Sequence, residues 1–233
     1  MSETAASERH PVRLAFWLAF VLLLTAANYA GRFLGEDSVD EDIAYQWVSS
    51  VGIVFQYGLM LGILLLIAWG LPKREVLALR RPASWKRAAG FTALTLVAIY
   101  AAAAAYTGLL SLFGDYDASE EQGLVPDEWN PDRAAPFVAF FLGVTLLAPA
   151  VEELTYRGMG IWLVRPYGTV LAIVSTGLLF GLAHGLIIGL PVLAFFGIVV
   201  GWLRVRTHSI YPPIALHATF NGIALVVAVS GVG

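Results

Sequence analysis

The chain has no cysteine, which excludes disulfides, a thiolate nucleophile and cysteine-ligated zinc. It is also short of charge. Only 13% of its 233 residues are Asp, Glu, Lys or Arg, where a soluble domain carries about a quarter. Its net charge of −3 gives no ground for a nucleic-acid partner. There is no His-Glu-x-x-His for a zinc protease of the site-2 type and no Gly-x-Gly-Asp for a presenilin-type aspartyl protease. A rhomboid-like pair would have to use Ser175 and His184 of one helix, about 13 Å apart along its axis.

Apolar sequence fills the gap. The chain is 58% hydrophobic with a mean hydropathy of +0.74. Its length suits a single integral-membrane domain, residues 1–233, with the lipid bilayer as its surroundings. Crossing ~30 Å of hydrocarbon takes about 20 apolar residues. Spans are expected near 13–30, 45–70, 88–113, 134–150, 168–187, 189–205 and 210–231. The mixed stretch 150–166 either extends the fourth or forms a helix of its own. The fold class is therefore all-α, a polytopic bundle of seven or eight transmembrane helices. The first run is read as a retained helix: Thr25-Ala26-Ala27 resembles a cleavage site, but Glu3 and Glu8 mix with Arg9 and Arg13 ahead of it.

Loop charge orients the bundle. Lys73, Arg74, Arg80, Arg81, Lys86 and Arg87 follow the second span, and Arg157, Arg165, Arg204 and Arg206 fall on the same side. The loops after spans one and three are acidic, with Glu36, Asp37, Asp40, Glu41 and Asp42 in one and Asp115, Asp117, Glu120, Glu121, Asp127, Glu128 and Asp132 in the other. The basic count places the N-terminus in the cytoplasm and the C-terminus outside. The alanine-rich, short chain reads as a bacterial cell-membrane protein. The segment 114–136 is the longest between spans and a candidate outer cover.

Within the apolar C-terminal half lie three polar pieces: Glu152-Glu153-Leu154-Thr155-Tyr156-Arg157, Phe180-Gly181-Leu182-Ala183-His184 and His217-Ala218-Thr219-Phe220-Asn221. An ionisable side chain at the bilayer centre costs roughly 2.5–3.5 kcal/mol on insertion scales, so their concentration marks a buried functional site. Residues 1–133 are then scaffold helices and 134–233 catalytic ones. On a helix Glu153 and Arg157 share a face and can pair, while Glu152, rotated by about 100°, points elsewhere. Pro149 suggests a kink or fresh helix start near Ala148, which would set both glutamates in a first turn. His184 follows Phe180 by one turn, and His217 and Asn221 share a face after the helix-opening Tyr211-Pro212-Pro213.

These groups suit peptide hydrolysis. A carboxylate can deprotonate water that an imidazole orients, and a second imidazole with a carboxamide can donate to an oxyanion. One Glu and two His can equally bind zinc with a position left open. Two readings from other classes use the same residues: a redox module with His184 and His217 as axial ligands of a haem, and a scaffold in which the polar groups only lock helices together.

The ordered set Glu-Glu-x-x-x-Arg, Phe-x-x-x-His and His-x-x-x-Asn on hydrophobic helices resembles the family of CAAX proteases and bacteriocin-processing enzymes, which includes the Ras-converting CAAX endopeptidase. The resemblance covers residues 152–221 and implies an intramembrane protease with a site open to lipid and cytosol. It implies Glu152 as the base, His184 as a water holder, His217 and Asn221 as the oxyanion site, and Glu153 with Arg157 as positioning groups. It implies a membrane-anchored protein or peptide as substrate and, on the preferred reading, no cofactor, with zinc as the alternative.

Overall fold

The computed structural model describes residues 9–34, 43–114 and 129–230. The acidic positions Glu36, Asp37, Asp40, Glu41 and Asp42, those from Asp115 to Glu128, and most of the expected cover 114–136 lie outside the described residues. Among the described residues there are helices and no strands. The main elements are α1 (Pro11–Leu34), α2 (Trp47–Ile67), α3 (Trp85–Leu110), α4 (Pro131–Tyr167), α5 (Thr169–Leu182), α6 (Leu190–Thr207) and α7 (Tyr211–Val229).

Six of these have the length and apolarity of a membrane span. The exception is α5, with 14 residues. The expected fifth span, 168–187, is thus shorter than read from hydropathy, because its apolar run continues past Leu182 as a turn and loop up to Leu190. The mixed stretch 150–166 adds to the fourth span in one 37-residue helical run.

The distribution of residues is that of a protein solvated by lipid. Large apolar side chains face outward on every long helix, among them Phe16, Phe55, Leu66, Val97, Leu146 and Val226. The fully buried residues include Glu153, Arg157 and Thr176. In hydrocarbon the backbone must be satisfied within helices, and what remains polar gathers where helices shield it.

Glycine lets α5 and α6 pack closely. A Cβ on Gly177 would lie 2.5 Å from the Ile198 nitrogen, and one on Gly197 would strike the Gly177 carbonyl. Such small-residue contacts bring membrane helices together by close packing where no hydrophobic drive operates between them. Gly168 alone separates α4 from α5, at φ +142°, a conformation that side chains rarely adopt.

Of the two outcomes expected at Pro149, a kink or a fresh helix start, the fresh start does not occur. The helix neither stops nor restarts at Ala148. It widens to i→i+5 bonding over Gly143–Leu147, returns to α geometry over Ala148–Glu153, and widens again over Leu154–Gly160. Proline has no N–H for the carbonyl four residues earlier, and a π turn absorbs that loss without ending the helix. Glu152 and Glu153 therefore sit mid-helix between two π turns, not in a first turn.

Candidate functional site

The three sequence pieces converge around the ring of Phe180. The His184 and His217 imidazoles lie 4.6 and 5.6 Å from it, centre to centre. Phe196 of α6 closes on His217 at 4.9 Å, and the Arg157 guanidinium covers the Phe180 ring at 4.2 Å. Phe180 is about 17 Å along α5 from its start, whereas His217 is about 9 Å along α7. Their contact places both at one depth, so α5 begins deeper toward the basic end than α7. His184 belongs to the turn after α5, with its Nδ1 2.8 Å from the Phe180 carbonyl.

Glu153 holds two partners on one oxygen. Its Oε1 is 3.1 Å from an Arg157 terminal nitrogen and 2.9 Å from His217 Nδ1, with all three side chains buried. The second terminal nitrogen of Arg157 donates to the Gly197 carbonyl at 3.1 Å. A carboxylate paired with a guanidinium accepts, so Nδ1 of His217 carries a hydrogen whether or not Nε2 does. That leaves Nε2 facing Glu152 Oε2 at 3.8 Å, too far for a direct hydrogen bond. The other Glu152 oxygen accepts from the Tyr57 hydroxyl of α2 at 2.5 Å.

Asn221 is directed at α4. Its amide donates to the Val144 carbonyl at 3.0 Å, in the first π turn; its second N–H is available to another acceptor. Three further buried polar atoms, Glu153 Oε2, Arg157 Nε and the Tyr156 hydroxyl, have no hydrogen-bond partner. Buried polar groups are nearly always satisfied, so this density of open valences at one place suits a site that admits water and substrate.

The structure thus gathers Glu152, Glu153, Arg157 and His217 into one connected set, with His184 against the shared phenylalanine. Asn221 is one turn along α7 from His217 and bonded to α4. Among the described residues no three His, Asp or Glu side chains converge as metal ligands, and Glu153 is already engaged twice.

Sequence reasoning passed over Tyr57. It passed over the work of the first three helices as well. Trp17 donates to the Thr155 carbonyl at 3.0 Å, Asn28 to Ala183 at 2.5 Å, Tyr29 to Leu186 at 3.1 Å and Tyr106 to Ile188 at 2.8 Å. The Thr155 carbonyl adjoins Tyr156, and the other three lie on the stretch from Ala183 to Ile188 that carries His184. The only available signal was a set of polar-tipped residues on otherwise apolar helices.

A buried carboxylate–imidazole–guanidinium cluster within a helical membrane bundle defines a membrane-embedded polar site of the kind that intramembrane hydrolases need. Residues 134–223, less than half of the chain, match the family model described as type II CAAX prenyl endopeptidase Rce1-like. The matched segment contains all six residues singled out above and supports an intramembrane protease. No curated protein and no solved structure matches the chain.

Proposed function

We propose that the chain is an intramembrane endopeptidase in which Glu152 activates water for attack on a peptide bond. The observation that supports it most directly is the state of Glu152. Its side chain is buried in an apolar bundle, held on one oxygen by Tyr57 and open on the other toward His217 Nε2 at 3.8 Å.

On this reading the water proton passes to Glu152 as the water oxygen bonds to the substrate carbonyl carbon. The carbonyl oxygen takes up the negative charge and faces His217 and the free N–H of Asn221. For Nε2 to donate there, the ring works as imidazolium, with its Nδ1–H held by Glu153. Glu152 then returns the proton to the amide nitrogen as the carbon–nitrogen bond breaks, releasing an amine and a carboxylic acid. His184, with Nδ1 committed to Phe180, has Nε2 left to hold the water. Arg157 neutralises Glu153 and fixes it, a positioning role. General base catalysis of this kind is worth about 10²–10⁴-fold and an oxyanion donor about 10²–10³-fold.

The substrate on this reading is a membrane-anchored protein or peptide reached from the cytosolic side. The basic residues of the α2–α3 connection, on the end that also carries Arg165 and Arg204, support a cytosolic position for that end on this reading. The matched family's description adds a prenyl endopeptidase activity to the class of candidates.

The test is a comparison of new protein termini in membranes from cells making wild type or Glu152→Gln at matched levels. Termini present only with wild type, with both proteins folded, are the expected result. Equal cleavage by the two would remove Glu152 as the base.

A further inference from the structure

The basic end of the bundle holds a second polar cluster, which hydrolysis does not use. Arg204, in the last turn of α6, is 6% exposed. Its Nε is buried without a hydrogen-bond partner, and among the described residues no ion pair is found for it. The charges acting on Arg204 are of its own sign, Arg80 and Arg165. His208, which ends α6 in a left-handed conformation, faces the same three guanidiniums.

The backbone brings these four together from separate segments. The Ile210 N–H donates to the Ala78 carbonyl at 3.1 Å, tying the loop of Arg80 to that of His208. Val205 packs on the cluster that contains Val164, tying the end of α4, and with it Arg165, to the end of α6. Arg80, Arg165 and His208 are exposed, so the cluster has a wet rim and a buried floor.

A guanidinium taken out of water without a counter-ion is unfavourable, and two like charges beside it add repulsion. An anion between the four groups relieves both. Guanidinium forks match phosphate oxygens, and basic pockets between membrane helices take lipid head groups. We propose that Arg80, Arg165, Arg204 and His208 form a phosphate-binding site at the membrane surface, filled by the phosphate of an anionic lipid. Burial and the three guanidiniums hold the His208 imidazole below its ordinary range, so near neutral pH it contributes a hydrogen bond rather than a charge. A bound phosphate raises its titration.

The test uses the full chain and two probes, inorganic phosphate added to delipidated protein in detergent and phosphatidylglycerol set against phosphatidylcholine in nanodiscs. Thermal midpoint and the His208 proton shift are the readouts. Wild type should gain stability with phosphatidylglycerol over phosphatidylcholine, and His208 should titrate higher. Arg80→Gln/Arg165→Gln, confined to exposed positions, should raise the half-saturating concentration about tenfold or more, as for loss of charge-assisted hydrogen bonds. Arg204→Met should lose the response while being no less stable than wild type without the probe. A response to inorganic phosphate alone keeps the phosphate chemistry and overturns the lipid source. No response, or the same response from the Arg80→Gln/Arg165→Gln protein, overturns the site. None of these readouts depends on proteolysis.

Discussion

Replacing Arg157 by methionine isolates the interaction that organises the candidate site. The guanidinium is fully buried, bonds Glu153 and the Gly197 carbonyl at 3.1 Å each, and lies over the Phe180 ring at 4.2 Å. Methionine keeps much of the volume, so the main loss is the charge. Removing one partner of a buried ion pair costs about 3–5 kcal/mol, because the other is left charged and unpaired. His217 Nδ1 still donates to Glu153, which favours the lower part of that range. Reversible unfolding in mixed micelles, followed by circular dichroism, measures the loss. Glu153→Gln in the Arg157→Met background removes the orphaned charge, so the double variant should be destabilised by less than the sum of the singles. A loss of under about 1 kcal/mol for Arg157→Met, within the range of an exposed pair, would refute a guanidinium bound as tightly as its geometry indicates. Strict additivity in the double variant would refute the coupling itself.

Two further outcomes follow from single contacts. Tyr57→Phe deletes only the hydroxyl on Glu152 and should leave the fold intact. Loss of a hydrogen bond to a charged group, about 1.5–3 kcal/mol, should appear as a roughly 10- to 100-fold drop in kcat with little change in KM. Measured on any substrate found by termini profiling, an unchanged kcat would remove Tyr57 from the machinery. Gly197→Ala forces α6 away from the Gly177 carbonyl. It should destabilise by about 1–3 kcal/mol as an overpacked contact does and loosen Arg157, whose carbonyl partner is Gly197; an unfolding midpoint equal to wild type would show that the helices have room to spare.

Much of this was legible in the sequence, for identifiable reasons. Long apolar runs are an unambiguous signal where lipid is the solvent, so α1, α2, α3, α6 and α7 fall close to their expected bounds. The pairing of Glu153 with Arg157 follows from their i,i+4 spacing, whereas Glu152, expected to point elsewhere, faces the other nitrogen of the same His217 ring at 3.8 Å. The errors share a cause. Hydropathy counts apolar residues and does not see where a helix ends within an apolar stretch, so α5 was read as running through His184. Nor does it see π geometry, which let α4 continue across Pro149. The link from His217 Nδ1 to Glu153 is a contact across 64 residues, and no local pattern encodes it.

The same limit explains why the first three helices look inert in the sequence and are not inert in the fold. A loop at membrane depth exposes carbonyls that lipid cannot solvate. The stretch from Ala183 to Ile188, which carries His184, has three such carbonyls satisfied by Asn28, Tyr29 and Tyr106. Each of those side chains has an apolar body and one polar tip, a composition that costs little in a lipid-facing helix. Tyr57 belongs to the same set, but its tip reaches a carboxylate instead of a carbonyl. The scaffold and the candidate catalytic half are therefore joined through polar tips at places that include the loop of His184 and the carboxylate of Glu152. The second of these joins is a contact to the proposed base from outside the matched segment 134–223.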